Sequence, residues 1–236
     1  MLKQTVPNCQ NCPSKANNLL SCCSVAGIEQ ISQDKISQHY QAGQTIFGEG
    51  SRAAGLYCMH EGRIKITKSG GDGKEQILRL VRPGDVLGYR ALVAGSVHTT
   101  SAVALSDCTV CLIPKHVISP QLNSSLSLSS AMLQLLANNL GATAERMLHL
   151  AYKPVRERLA EALLLLQRTY HSAGEADLPF TIAISREDLG ALMGTTKETT
   201  TRTLSDFKQE GLLTTRGSAI TILATKRLHD IATLFD

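Results

Sequence analysis

The sequence lacks any segment that could cross a membrane or direct export. Its longest apolar run, Ala162 to Leu166, is far shorter than the ~20 apolar residues that a bilayer-spanning helix needs. No apolar core of a signal peptide is present in the first residues, MLKQTVPNCQNC. We therefore expect a cytoplasmic protein that has no membrane partner.

Catalytic motifs are also missing. The chain contains no GxSxG, no P-loop and no HExxH, and its seven histidines are scattered. An apolar fraction of 43% and a charged fraction of 19% are ordinary for globular proteins, which excludes disordered and collagen-like classes. The length of 236 residues allows one large domain or two ordinary ones. These features predict a globular protein that is not an enzyme.

Net positive charge is low, whereas cysteine is frequent. The formal net charge of +4 is a weak electrostatic signal for nucleic-acid binding. Seven cysteines are an odd number in a chain without an export signal. Disulfide pairing is not expected in that setting, so metal binding, redox sensing or simple burial are the remaining explanations.

Short β-type runs separated by glycine-containing turns fill the region from about Gln41 to Pro114. The runs cover residues 55–59, 63–67, 76–80 and 109–113. Many short strands at this spacing, with no βαβ pattern, predict an all-β sandwich or barrel. We place a cysteine-containing segment at 1–25 and a β-roll sensor domain at 26–124.

A long helix without proline is predicted over 125–151. Its first apolar stripe contains Leu133, Leu136, Leu140, Thr143, Met147 and Leu150, and its second contains Leu128, Met132, Leu135, Asn139, Ala142, Arg146 and His149. Two stripes leave one for a second copy of the chain, which predicts a homodimer. The polar Asn139 and Arg146 favour the second stripe as the seam, because polar residues fix the register there. The alternative is a helix buried on both sides within one chain.

Residues 152–236 are predicted to form a mostly helical C-terminal domain with a helix-turn-helix motif. After a helix over 155–170 and a loop over 171–179, Ser185-Arg-Glu-Asp188 is a capping box that begins a helix through Met193. Gly194 ends that helix, and Thr195-Thr-Lys-Glu198 is a second capping box. Residues 212–222 have the pattern of a β-hairpin, the wing of a winged helix.

The second helix of such a motif enters the major groove of DNA. Lys197, Glu198, Thr201 and Arg202 project from one face of it, where arginine can donate to guanine and glutamate can accept from cytosine. We expect further DNA contacts from Thr196, Thr199, Arg186 and Arg216. The alternative is a helical hairpin with a solvated charged face, since residues 151–236 contain 11 Lys and Arg against 11 Asp and Glu.

The order of these parts resembles the Crp/Fnr family of bacterial transcription regulators (cyclic-AMP receptor and fumarate-nitrate reduction regulators). The stretches that carry the resemblance are AGQTIFGEG at 42–50, GLY at 55–57, EGRIK at 61–65, PGDVLG at 83–88 and EDLGALMG at 187–194. The resemblance implies an α+β fold: a jelly roll like a cyclic-nucleotide-binding domain, a dimerisation helix and a winged helix-turn-helix. It also implies a homodimer that reads a two-fold-related site in double-stranded DNA and works with RNA polymerase.

The family resemblance also locates an effector pocket. Nucleotide-binding members use a Gly-Glu pair and an Arg-Ser pair, where this chain has Gly88-Tyr89-Arg90 and His98-Thr99. Tyr89 replaces the glutamate and His98-Thr99 replaces the Arg-Ser pair. This loss of the fingerprint argues against a cyclic nucleotide, although these residues remain the candidate pocket.

The cysteines supply a second candidate sensor. Cys9-x-x-Cys12 can bring two thiolates to one metal centre, and Cys22 or Cys23 is a third candidate ligand. Cys111 matches the remote cluster ligand of the oxygen-sensing branch of the family. Together they predict a [4Fe–4S] or [2Fe–2S] cluster, although nine residues separate Cys12 from Cys22, about twice the spacing of that branch.

Several alternatives to an iron–sulfur cluster stay open. They are zinc, a thiol–disulfide switch, haem at His60, His98 or His116, and cysteines that are merely small buried hydrophobes. The sequence thus predicts a DNA-binding regulator controlled by redox state, oxygen or a small effector. The competing function is a cyclic-nucleotide-binding module that controls a partner protein without binding DNA.

Overall fold

A computed structural model of the chain describes residues 8–13, 19–71, 73–170 and 179–233. These residues group into two compact units, one within 1–68 and 81–141 and the other within 69–80 and 142–236. Parts of the predicted N-terminal segment (1–7 and 14–18) and most of the predicted loop at 171–179 lie outside the described residues. No helix in the described ranges is long and apolar enough to span a bilayer.

The N-terminal part contains two four-stranded sheets and confirms the predicted β-roll. The strands are β1 (Ile36–Tyr40), β2 (Thr45–Phe47), β3 (Gly55–Glu61), β4 (Ile64–Ser69), β5 (Glu75–Val81), β6 (Val86–Leu87), β7 (Ser101–Ala104) and β8 (Cys108–Pro114). The sheet orders are β1-β8-β3-β6 and β2-β7-β4-β5. Three helices accompany them: α1 (Val25–Asp34), α2 (Tyr89–Ala94) and α3 (Lys115–Ser124). The four runs predicted as strands lie in β3, β4, β5 and β8.

Strand β3 is buried on both faces, which explains its continuous apolar sequence. Because successive side chains in a strand point to opposite faces, Leu56 and Cys58 join one apolar cluster while Tyr57 and Met59 join another. The first cluster, which we call the helix-side core, lies between the sheet that contains β3 and the helices. The second, the inter-sheet core, is built from residues of both sheets.

A helix, α4 (Leu126–Tyr152), confirms the long helix predicted over 125–151. Leu128 and Met132 are buried in the helix-side core. Leu133, Leu140 and Met147 are 66%, 72% and 68% exposed. The two predicted stripes therefore face different surroundings, and one of them is left without cover in a single chain.

The stripe predicted as the dimer seam has much of its surface engaged within a single chain. Leu128 and Met132 of that stripe are core residues, Asn139 donates to Leu135 O of its own helix, and the Arg146 guanidinium donates to Leu192 O of its own chain. Polar residues in an apolar stripe are typical of a coiled-coil seam, but here they find partners within the protomer. The exposed apolar residues Leu133, Leu140 and Met147 belong to the first stripe, whose Leu136 packs against the helix-side core.

The C-terminal unit is a small helical domain with a three-stranded sheet. Its elements are α5 (Val155–Tyr170), β9 (Thr181–Ala183), α6 (Arg186–Met193), α7 (Lys197–Gln209), β10 (Leu213–Arg216), β11 (Ala219–Ile222) and α8 (Thr225–Ala232). The sheet order is β10-β11-β9. The side chains of α5 that were predicted to face inward, Leu159, Ala162, Leu163 and Leu166, are all buried. Strand β9 and helix α8 were not predicted.

Candidate nucleic-acid interface

Helix α6 begins and ends where the sequence predicts. The Ser185 hydroxyl accepts from the Asp188 backbone N–H at 2.9 Å and donates to the Asp188 carboxylate at 3.0 Å. Gly194 ends the helix in the left-handed region, with φ of +66°. A side chain is strained in that conformation, so glycine is the residue that allows the sharp turn.

Helix α7 begins one residue later than predicted. Its N-cap is Thr196, whose hydroxyl accepts from the Thr199 backbone N–H at 3.3 Å, so Thr195 is not the cap. Glu198 therefore has no capping role and is exposed. The inward side also differs by one residue, because Thr200 rather than Thr199 is buried beside Thr203.

The two helices approach each other closely at Gly190. A Cβ atom built on this glycine would lie 2.9 Å from Thr195 O and 3.0 Å from the Thr200 hydroxyl. Leu204 and Phe207 continue the buried side of α7 further along. The contact fixes α7 against α6 and leaves the opposite side of α7 for solvent or a ligand.

The exposed side of α7 carries the four residues that were predicted to read bases. Lys197, Glu198, Thr201 and Arg202 are all exposed. The Thr201 hydroxyl donates to Lys197 O at 2.8 Å, which fixes its orientation and leaves its oxygen able to accept. Ser205, one turn beyond Thr201, extends this face and was missed, although the spacing of four residues could have indicated it.

Lys197 and Arg202 differ in their surroundings. Lys197 is in a short ion pair with Glu187 of α6, which raises the pKa of Lys197 and lowers the pKa of Glu187. Over the described ranges, no hydrogen bond or ion pair of Arg202 is found. The guanidinium of Arg202 is thus available for an acceptor outside the chain.

The wing is a β-hairpin formed by β10 and β11, as predicted. The two strands pair from Leu213 opposite Ile222 to Arg216 opposite Ala219. The Arg186 guanidinium donates to Gly217 O in the hairpin turn at 3.1 Å, so this predicted DNA contact ties α6 to the wing. A second nitrogen of Arg186, Nη1, is buried without a partner among the residues described. Arg216 is exposed.

The structure separates the residues of the predicted effector pocket. His98 is 3% exposed and stacks on Phe47, with ring centroids 4.0 Å apart and an interplanar angle of 16°. Gly88 lies beside it, since a Cβ there would be 3.4 Å from His98 Cε1. Tyr89 packs into the helix-side core instead, and Arg90 and Thr99 are exposed.

Burial lowers the pKa of His98, and its Nε2 has no hydrogen-bond partner in the described part of the chain. A neutral imidazole therefore occupies this position of the predicted effector pocket. It offers no positive charge to compensate a phosphate, which agrees with the loss of the nucleotide fingerprint.

The cysteines predicted as metal ligands lie around the helix-side core. Cys9 and Cys111 are buried in it, and Cys22 and Cys23 pack against it. Cys12 Sγ is 3.6 Å from His60 Nδ1. Burial raises the pKa of Cys111; the Ser37 hydroxyl and Lys35 partly offset this rise, and the nearby thiols of Cys9 and Cys12 add to it.

These thiols have the donor type that an iron–sulfur cluster needs, but they are not assembled as a ligand set. Within the described ranges, no three His, Cys, Asp or Glu side chains are grouped so that they could hold a metal ion. Cys12 contacts His60, and Cys111 Sγ is 3.5 Å from the Ser37 hydroxyl. Cys108 belongs to the inter-sheet core, where burial raises its pKa to about 11.

A β-roll, a long helix and a winged helix-turn-helix with an exposed polar recognition face define a class of DNA-binding regulators. Residues 37–125 match the cyclic nucleotide-binding domain family, and residues 157–231 match the Crp-like helix-turn-helix domain family. The fumarate and nitrate reduction regulatory protein of Escherichia coli is 31% identical over 192 residues, 81% of this chain and 76% of that protein. The protein of the same name from Vibrio cholerae is 29% identical over 226 residues, 95% and 90% of the two chains.

Solved structures agree with this assignment. FixK2 from Bradyrhizobium japonicum is similar with a TM-score of 0.73 and 29% identity, over 84% of this chain and 96% of that one. A transcriptional regulator of the Crp/Fnr family from Eubacterium rectale shares the fold, with a TM-score of 0.75 and 21% identity over 91% and 97% of the chains. The chain belongs to the Crp/Fnr family and is a DNA-binding transcription regulator. A module without DNA binding is not favoured.

Proposed function

We propose that the protein reads a two-fold-related DNA site through α7, with Lys197, Glu198, Thr201 and Arg202 at the bases. The observation that carries this proposal is the exposed polar face of α7, whose opposite side is buried against α6. Arginine pairs with guanine in a bidentate way, and glutamate accepts from the cytosine amino group. Arg202 and Glu198 therefore supply the strongest discrimination between bases.

The start of α7 and the wing supply contacts to phosphates. Thr196 and Thr199 lie at the helix N-terminus, where backbone N–H groups and the helix dipole favour an anion. Arg216 is exposed on the wing, and Arg186 acts at the base of the wing, where its guanidinium donates to Gly217 O. Such contacts fix the register of the protein on the duplex and make the affinity depend on salt.

We infer that the chain is a homodimer joined through the exposed stripe of α4. Leu126, Leu133, Leu140 and Met147 recur every seven residues and are all largely exposed. An apolar repeat of seven is the pattern of a parallel coiled coil, which would cover this stripe with its copy from a second chain. A two-fold axis along α4 would also present two recognition helices to a two-fold-related site.

We propose that redox state or oxygen controls the regulator through its N-terminal cysteines. The ligands of an iron–sulfur cluster would be Cys9, Cys12, Cys111 and either Cys22 or Cys23. Cys9 and Cys111 are buried in the helix-side core, and Cys22 and Cys23 pack against it. Cys12 is near enough to Cys111 to affect its pKa. Two bacterial relatives carry the name fumarate and nitrate reduction regulatory protein, and regulation of reductive reactions fits control by redox state. Assembly of a cluster would require the thiols to come closer together than they are in this structure.

We also propose a cytoplasmic location and RNA polymerase as a partner.

The DNA proposal is tested by selecting duplexes from a random pool with the purified protein. We expect an inverted repeat whose half-sites are centred about one helical turn, 10–10.5 base pairs, apart. Failure to enrich any sequence would contradict the proposal. A site without inverted symmetry would contradict the dimer.

The sensor proposal needs protein purified without oxygen. A visible absorption band with matching iron and acid-labile sulfide would support a cluster, and Cys9→Ala should remove all three signals. Cys58→Ala is a matched control, because Cys58 is a core residue that was not predicted as a ligand. Colourless, iron-free protein would reject the cluster and leave a thiol-based mechanism.

A further inference from the structure

Three side chains from outside the helix-turn-helix hold the C-terminal end of α6. The last carbonyls of a helix have no partner inside it and must find one elsewhere. The three bonds are Gln76 Nε2 to Ala191 O at 2.5 Å, Arg146 Nη2 to Leu192 O at 2.5 Å, and Arg158 Nη1 to Met193 O at 2.6 Å. We call Gln76, Arg146 and Arg158 the clasp; all three belong to the C-terminal compact unit.

Two members of the clasp are partly buried cations at the negative end of the α6 dipole. That position stabilises positive charge. Burial nevertheless lowers the pKa of both Arg146 and Arg158, and the Nε of each is buried without a partner in the described ranges. An Nε that is buried without a partner costs stability, so each arginine gives up part of its hydrogen bonding to hold the end of α6.

Two of the clasp residues lie on elements whose residues belong partly to the N-terminal compact unit. Arg146 lies on α4, which begins at Leu126 in the other compact unit. Gln76 lies on β5, which ends at Val81 in that unit. Each of these two elements contributes one short hydrogen bond to the end of α6.

The clasp also lies directly beside the turn that leads into α7. Arg158 Nη1 makes a second, longer contact of 3.3 Å to Gly194 O. A Cβ built on Gly194 would lie 2.8 Å from Leu150 Cδ2 of α4, so the helix packs closely on the turn itself. The end of α6, the turn and α4 therefore form one tightly packed junction.

We propose that the clasp positions the recognition helix. Gln76, Arg146 and Arg158 hold the end of α6, and α6 with the Gly194 turn sets where α7 begins. None of the three is one of the proposed DNA contacts, so they act as positioning residues. The inference goes beyond the reading of bases, because it assigns the side chains that place the reading helix.

Replacing Arg146 by methionine tests the clasp, because Arg146→Met keeps the length of the side chain and removes every donor. We expect faster hydrogen exchange in the segment 186–196, since the carbonyls at the end of α6 lose a partner. We also expect the affinity for the selected duplex to fall about tenfold, within the range of about 5- to 150-fold typical of coupling between sites. Arg146→Lys should restore part of both, because lysine keeps the charge and one donor to Leu192 O.

Two comparisons separate positioning from other effects. Arg168→Met makes the same change at an exposed position of α5 and should alter neither the exchange nor the affinity. Arg202→Ala should weaken specific binding without changing exchange in 186–196, because Arg202 acts at the DNA and not at α6. The two readouts therefore distinguish a lost contact from a misplaced helix.

Unchanged exchange in 186–196, or unchanged specific affinity, in Arg146→Met would overturn the proposal. If that variant does not fold, Gln76→Met removes the neutral member of the clasp and carries the same two expectations. Failure of the wild-type protein to bind any duplex would contradict its DNA-reading role, whereas the exchange measurement would still decide whether the clasp holds α6.

Discussion

Lys197, the first residue of the recognition helix, forms an ion pair with Glu187 of the preceding helix. The two side chains are 55% and 60% exposed, so the pair lies in water at the surface that would approach DNA. Glu187 neutralises a charge that would otherwise face a phosphate or a base. Because the C-terminal domain has no net excess of basic residues, we expect this one carboxylate to have a measurable influence on DNA binding.

Glu187→Gln should strengthen DNA binding and steepen its dependence on salt. The substitution removes the carboxylate, so the positive charge of Lys197 is no longer neutralised when α7 lies in the groove. Each phosphate charge that a protein neutralises contributes about 0.9 to the slope of log K against log salt concentration, and we expect an increase of about that size. Fluorescence anisotropy titrations over a range of salt concentrations measure it. Glu145→Gln, at an exposed position of α4, should leave the slope unchanged. An unaltered slope in Glu187→Gln would show that Lys197 does not face DNA.

Leu140→Glu should convert the dimer into a monomer. The side chain is 72% exposed in a single chain and lies in the middle of the seven-residue repeat of α4. A carboxylate from each chain would then meet its copy in an apolar seam, where buried like charges cost several kcal/mol. Sedimentation equilibrium should give twice the 25.4 kDa chain mass for the wild type and the single mass for the variant.

A matched control for the seam is Asn138→Glu, at an exposed position on another side of α4. That variant should remain dimeric and keep its DNA affinity. If Leu140→Glu sediments as a dimer, the exposed stripe is not the seam and the two-fold arrangement loses its structural basis.

Acid should destabilise the β-roll through His98. Burial lowers the pKa of His98 in the folded protein, whereas the ordinary value is 6.5. As the pH falls below 6.5, the unfolded chain takes up a proton before the folded one, so stability is fully present above that pH and declines below it. His98→Phe keeps a ring against Phe47 and cannot titrate, so its free energy of unfolding should depend less on pH.

Urea unfolding at about pH 7.5 and about pH 5.5 measures this difference, since the range brackets the titration of an ordinary histidine. His116→Phe, at an exposed position of α3, should keep the wild-type pH dependence. Equal pH dependence in wild type and His98→Phe would mean that His98 does not contribute to acid sensitivity.

Two glycine-to-alanine substitutions should have opposite effects on stability. At Gly190, the added methyl group would lie 2.9 Å from Thr195 O, so α6 and α7 must move apart at a cost of about 1–3 kcal/mol. At Gly141, in the middle of α4, nothing lies within 4 Å, and alanine should stabilise the helix by about 0.4–1 kcal/mol. Thermal unfolding followed by circular dichroism compares the two. Destabilisation of similar size at both positions would contradict the close contact of α6 with α7.

Much of this architecture could be predicted because its determinants are local. The capping residue Ser185, the break at Gly194 and the repeat of apolar residues in α5 act within one or two turns of helix, and they define elements at the predicted places. The wing follows in the same way from two short β-type runs around Gly217. The same local signals predicted the exposed face of α7.

Apart from the one-residue shift in the cap of α7 and the missed helix α8, what the sequence left undecided concerns relationships that no local pattern contains. Both stripes of α4 have the same periodicity, and only the packing of Leu128 and Met132 into the helix-side core shows which stripe is left for a partner. The stacking of His98 on Phe47 joins residues from distant parts of the sequence. Helix α8 was missed because it is short: it buries only Leu228 and Ala232, one turn apart.

The most direct test of base reading by α7 compares wild-type protein with Arg202→Ala on the selected duplex and on an unrelated duplex. A bidentate contact to guanine contributes about 1–3 kcal/mol of discrimination, so specific affinity should fall about 5- to 150-fold while binding to the unrelated duplex changes much less. Arg168→Ala, at an exposed position of α5, should match the wild type on both duplexes. Equal specific affinity in Arg202→Ala and wild type would contradict the assignment of α7 as the recognition helix.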